Sequence, residues 1–166
     1  MNKTKTFKFT LCAILTAFAI ITFVIENLFP PLFFPGAKMG ISNVFILLSL
    51  IILGPTYAFI TLVVKTVLGS LFAGNISAIL YSLPAGAIAL SVEILAIVLL
   101  KKVSVVAVSI LGAVINISLQ NVTFCLLTNT IQYLYYLPDL ALIGVVSGLI
   151  VGFTTYLIVV KLENIK

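Results

Sequence analysis

From Val103 to Val160 the chain carries a single charged residue, Asp139. Such a stretch cannot form the exterior of a water-soluble domain, in which about a quarter of the residues are charged. The same poverty runs through the whole sequence: of 166 residues, 63% are hydrophobic and 8% charged, and the mean hydropathy is +1.36. A chain of this kind can cross a bilayer repeatedly, because a helix of about 20 apolar residues matches a ~30 Å hydrocarbon core and satisfies its own backbone. The sequence therefore reads as an all-α polytopic membrane protein, with one integral domain over residues 1–166.

Hydrophobic runs bounded by Pro, Gly, Asn or Lys predict six spans, at about 9–29, 40–53, 56–73, 78–100, 103–127 and 139–160. Span 2 is short: its 14 residues rise only ~21 Å, so it is either tilted or partly re-entrant, and a five-span arrangement is the alternative. Lys3, Lys5 and Lys8 precede span 1, Lys101 and Lys102 separate spans 4 and 5, and Lys161 and Lys166 end the chain. With both termini cytoplasmic, all three clusters satisfy the positive-inside rule. That pattern also accounts for the net charge of +5 without a nucleic-acid surface. The N-terminus imitates a signal peptide, with Ala17-Phe18-Ala19 as a cleavage-like site. The apolar run continues through Val24 and Ile25, so an uncleaved helix is expected. Cys12 and Cys125 lie near opposite ends of their spans, too far apart in depth for a disulfide.

Composition removes much chemistry. The chain has no His, no Arg and no Trp, and its carboxylates are Glu26, Glu93, Asp139 and Glu163. Metal clusters and histidine-based triads cannot be assembled from that set. No glycine-lysine phosphate loop is present either. The sequence implies no enzyme, no metal and no cofactor.

Polar residues inside the spans are the candidates for function, since ionisable groups in a bilayer are costly and face a bundle interior or a wet cavity. Lys65 lies mid-way along span 3 and Glu93 in the inner half of span 4. A Lys65–Glu93 pair is expected to serve either as ligand counter-ion or as a structural ion pair. Glu26 and Lys38 flank the first outer loop and could clasp it. Span 5 carries Ser109, Gly112, Asn116, Gln120 and Thr123 on one helical face, a stripe that either contacts a solute or hydrogen-bonds a neighbouring helix. Asn121 points off that face and reads as a packing contact. The loop from Thr128 to Pro138 holds Tyr133, Tyr135 and Tyr136, which suit either a stacked planar ligand or an interfacial belt. Pro84 should bend span 4 or free a carbonyl. Gly144, Gly148 and Gly152 mark a close packing face in span 6, and Ala13 with Ala17 a small-residue face on span 1 that another membrane protein could use.

Three segments carry a resemblance: Pro35-Gly36-Ala37-Lys38-Met39-Gly40-Ile41-Ser42-Asn43, Lys65-Thr66-Val67-Leu68-Gly69-Ser70 with Gly74, and Gly112-Ala113-Val114 leading to Gln120. On these the chain resembles the Gx transporter family, often labelled heptaprenyl diphosphate synthase component I. Through it the chain is similar to the substrate-binding S-components of energy-coupling factor (ECF) transporters. The resemblance implies six helices with a pocket in the outer half, a small vitamin-like solute, and partners in the form of a transmembrane coupling subunit and cytoplasmic ATPase subunits. It adds Lys38 and Asn43 to a solute site with Lys65, Glu93, Asn116, Gln120 and Tyr133, and it implies docking through Ala13 and Ala17. The prenyl-synthase label fits the residues poorly, because prenyl-chain elongation needs clustered aspartates to hold magnesium and this chain has one. The sequence leaves two other readings open. One is a non-transporting membrane scaffold of a prenyl-quinone or flavin-based redox system. The other is a stand-alone carrier with Lys65 and Glu93 as coupling residues.

Overall fold

The structure, a computed structural model, describes residues 3–28, 40–100 and 102–163. It consists of six α-helices and one 3-10 turn: α1 (Lys3–Leu28), α2 (Asn43–Leu53), α3 (Pro55–Phe72), α4 (Ala78–Leu99), α5 (Val105–Thr128), the 3-10 turn Ile131–Tyr136, and α6 (Leu137–Glu163). Observed helices overlap all six expected spans; α1 begins six residues before the expected start of the first, and the second span is shorter than expected. There the helix begins at Asn43 rather than near residue 40, because Gly40 stands at φ +66 and Ile41 and Ser42 form a turn. Its 11 residues rise only ~16 Å, about half the hydrocarbon thickness. Five helices are long and apolar enough to cross a membrane, and α2 is not among them.

The helix ends follow from local chemistry. Gly54, at φ +103, breaks the chain between α2 and α3 in a conformation that disfavours a side chain. Pro55 then opens α3 at the position where a missing N–H costs nothing. The Ser104 hydroxyl accepts from Ala107 N at 3.1 Å to cap α5, and Asn129 closes that helix in the left-handed region at φ 53. α4 runs on through Pro84.

Close contacts fix the direction of every helix. Cys12 and Thr16 of α1 meet Tyr57 and Thr61 of α3, so these two run parallel. Asn43 of α2 reaches Lys65 while Ser49 reaches Thr61, which makes α2 antiparallel to α3. Tyr81 of α4 packs on Phe124 of α5, and Glu93 lies against Gly112. Along the α5–α6 seam, a Cβ on Gly144, Gly148 or Gly152 would fall 2.9, 2.5 and 2.7 Å from Val114, Ile110 and Val106 Cα. The glycine series thus packs inside the bundle, as its spacing predicts. The end carrying residues 73–77 and 129–136 is called upper below. Lys5, Lys8, Lys102 and Lys161 are all exposed at the lower end.

The packing is inside-out relative to a soluble protein. Phe18, Ile21, Leu80, Ile88, Leu142, Val146 and Phe153 are exposed on the flanks, whereas Thr16, Ser49, Thr61, Lys65, Thr66, Ser109, Ser147 and Thr155 are buried. Lipid on the flanks makes the first group favourable. Hydrogen bonds in the interior offset the second: Thr61 Oγ1 lies 3.1 Å from Ser49 Oγ, 3.2 Å from Thr16 Oγ1 and 3.6 Å from Cys12 Sγ, joining three helices at one point. The chain is a multi-pass membrane protein. Both cysteines are free and buried.

Candidate functional site

Among the described residues, two small cavities lie in the polar interior of the bundle, one above the other. The upper, of ≈40 Å³, draws wall residues from all six helices, among them Phe23 and Glu26 of α1, Asn43, Lys65, Tyr81, Asn116, Gln120 and Ser147. The lower, of ≈30 Å³, is walled by α2 to α6 and includes Glu93, Ser109, Gly112 and Asn116. Asn43, Leu62, Gly86, Ala113 and Asn116 line both, so the cavities share one wall.

Lys65 anchors the upper cavity. Its side chain is 5% exposed, and Nζ donates to Asn43 Oδ1 at 2.8 Å and to Ser42 Oγ at 3.2 Å. The Phe23 ring lies with its centroid 5.5 Å from the ammonium. Each contact offsets part of the cost of a cation inside a bilayer. The position of Asn43 follows from the short helix: as the first residue of α2 it presents its amide at the depth of mid-α3. Its Oδ1 is committed to Lys65, which fixes the orientation of the amide.

Opposite, Asn116 and Gln120 stand one turn apart on α5, and Gln120 Nε2 donates to Asn116 Oδ1 at 3.1 Å. The stripe expected from spacing is thus split by function of depth. Ser109 and Gly112 face the lower cavity, Gln120 the upper, and Asn116 both, while Thr123 reaches neither wall. Asn121, off the stripe, donates to Tyr133 O at 3.0 Å and accepts from Cys125 Sγ at 3.2 Å. It is a packing contact that seats the 3-10 turn.

The expected site residues fall into four groups. Asn43, Lys65, Asn116 and Gln120 meet at the upper cavity. Glu93 lines only the lower one, so the pair expected between Lys65 and Glu93 is divided between the two chambers: the lysine reaches from α3 towards the start of α2, one turn above the shared Leu62. Tyr133 is not brought to either wall. Its ring stacks edge-on against Phe124 at 5.4 Å, and Phe124 in turn meets Tyr81 at 5.8 Å, so two rings separate it from the cavity edge. Lys38 lies outside the described residues, as does the clasp expected between it and Glu26. Glu26 instead accepts from Ile41 N at 2.7 Å and from Ser42 N at 3.4 Å, which places its carboxylate at the N-terminus of α2. That is the helix end at which negative charge is favoured.

Sequence reasoning missed Phe23, Ser42, Tyr81, Ser82 and Ser147. A usable signal existed for two of them. Ser82 stands one turn before Gly86, and Ser147 sits beside Gly148, so each hydroxyl lies next to a small residue where helices approach.

The family model for heptaprenyl diphosphate synthase component I matches residues 15–158. The chain belongs to that family. Every residue lining the two cavities falls inside the match, as does Ala17, whereas Ala13 lies just before it. No curated protein and no solved structure matches the chain.

Proposed function

We propose that the chain is the membrane-embedded solute-binding subunit of an ECF-type uptake system for a small vitamin-like solute. The observation that carries this is the upper cavity, where one ammonium and three carboxamides converge from α2, α3 and α5 inside the bundle. Binding sites of this kind combine apolar walls with a few placed polar groups. The exposed lysines at the lower end, taken with the positive-inside rule, support a reading in which that end faces the cytoplasm of a cell membrane and the upper cavity lies in the outer half. A solute arriving from outside would meet this cavity first.

The reading also supplies the energy source. With no nucleotide-binding motif of its own, the subunit depends on a transmembrane coupling subunit and ATPase subunits. Ala13 and Ala17 are both exposed about the middle of α1, a face narrow enough for another helix to approach closely. The synthase in the family's description is read as a label without catalysis in this chain, whose one aspartate is Asp139. Solute binding shifts the orientation of the subunit against its partners only if the two states bind it with different affinity.

Native mass spectrometry of gently extracted protein tests the reading. A small molecule should be retained, and Asn116→Ala combined with Gln120→Ala should abolish retention without changing the elution profile. Retention unaltered by the double substitution would show that the pocket lies elsewhere.

A further inference from the structure

Among the described residues, none partners the carboxyl group that lines the lower cavity. Glu93 projects from α4 against α5 at Gly112, and a Cβ on Gly112 would overlap the Glu93 Oε1 atom. The absence of a side chain at 112 is what gives the carboxyl its place beside the cavity. Around it stand Asn43, Ser109 and Asn116, with Ile46, Leu62, Ala89, Leu90 and Val151 closing the remainder. Among the described residues none donates a hydrogen bond to the Glu93 carboxyl, and no other titratable side chain lines this chamber.

Acceptor oxygens in a membrane interior that lack a donor are expensive, and groups of this kind mark ligand pathways. The amides nearby are arranged the other way round. Lys65 occupies Asn43 Oδ1 and Gln120 occupies Asn116 Oδ1, which leaves the NH₂ groups of these two cavity-lining amides as donors. A ligand that reaches both chambers therefore meets donors from these amides and a bare acceptor at its lower tip.

We infer that Glu93 is a specificity-determining residue that receives an N–H or ammonium group at the inward end of the solute. The inference rests on the solute-binding reading above and deepens it. The substrate class is a small nitrogen-bearing molecule with acceptor atoms opposite Asn43 and Asn116 and a donor opposite Glu93. An acceptor-only anion would leave the Glu93 carboxyl unmatched and is selected against. The lower chamber, at ≈30 Å³, admits a single small group rather than a second ring.

The probe is the molecule that co-purifies with the unaltered protein, identified by accurate mass after release and quantified in the variants. It should contain an N–H or ammonium nitrogen, and Glu93→Gln should lower its occupancy on the order of tenfold to a hundredfold, the range of a hydrogen bond to a charged group. Glu93→Asp, which keeps the charge but withdraws it by one methylene, should give a smaller loss; it also serves if the Gln variant does not fold. A released molecule without such a nitrogen, or undiminished occupancy in Glu93→Gln or Glu93→Asp, overturns the inference and leaves the solute-binding reading intact. If the unaltered protein releases no molecule at all, both fall together.

Discussion

The seam between α5 and α6 permits a prediction whose size follows from contact distances. A Cβ on Gly148 would lie 2.5 Å from Ile110 Cα, 2.9 Å from Ile110 N and 2.9 Å from Ser109 O, all of them backbone atoms. Carbon atoms in good contact sit about 3.5–4.0 Å apart. Gly148→Ala thus forces the two helices to separate locally by about 1 Å, since no side chain can swing aside. A gap of that size forfeits up to half of the dispersion energy of each affected pair, and overpacking of this kind costs about 1–3 kcal/mol. The better helix propensity of alanine returns at most about 1 kcal/mol. The net expectation is a destabilisation of about 1–2 kcal/mol for Gly148→Ala and more for Gly148→Val. Leu149→Ala should be close to neutral, because Leu149 is 46% exposed on the lipid-facing side. Unfolding by a denaturing detergent in mixed micelles, followed by loss of helicity, measures all three. Equal midpoints for Gly148→Val and Leu149→Ala would refute the close approach of the two helices.

Two further predictions concern the site and its surroundings. Lys65→Met removes the donor shared by Ser42 and Asn43 and should cut solute retention at least tenfold, with Lys65→Arg retaining more of it; equal retention in both variants would remove the ammonium from the site. Ala17→Leu places a bulky group on an exposed face and should leave stability and solute retention unchanged while weakening co-purification of ATPase subunits; undisturbed co-purification counts against docking through α1.

The sequence disclosed the architecture because its signal is composition over long windows. Long apolar runs with almost no charge can do little else, and five of them yield helices long enough to cross a membrane, with the shorter α2 between the first two. Span 2 resisted, since the apolar character of Ile41 to Leu53 continues past the point where Gly40 and Ser42 shape a turn, and hydropathy carries no trace of a positive φ. Asn116 and Gln120 were legible from one-face periodicity and Lys65 from its rarity. For Tyr133 the sequence left a stacked ligand and an interfacial belt open, because aromatic rings in a loop look alike whatever they meet, and in the structure its ring meets Phe124. The separation of Lys65 from Glu93 was invisible for a different reason. Counting residues along two helices gives depth, but the direction in which a side chain leaves its helix is set by neighbours such as Asn43, which arrive from elsewhere in the chain.

The shortness of α2 carries the deepest consequence for the site, and it rests on Glu26. Lys65 lies ten residues after Pro55, or ~15 Å along α3, and Asn43 stands beside it, so α2 begins near the middle of the bundle. Non-helical backbone at that depth is tolerated only where protein or a wet cavity satisfies it. Glu26 does so for Ile41 N and, at longer range, for Ser42 N. Glu26→Ala strands the shorter of these bonds and should cost about 1–3 kcal/mol. Glu26→Gln keeps an acceptor oxygen but loses the charge at the helix end, for a cost of about 1 kcal/mol or less. The same substitutions release the turn that holds Ser42 and Asn43 against Lys65, so solute retention should fall in the same order, Ala before Gln. Detergent-unfolding midpoints paired with retention measurements separate the two effects. If Glu26→Ala unfolds at the midpoint of the unaltered protein, water already solvates the turn. The upper cavity would then be an open vestibule whose floor, rather than its rim, selects the solute.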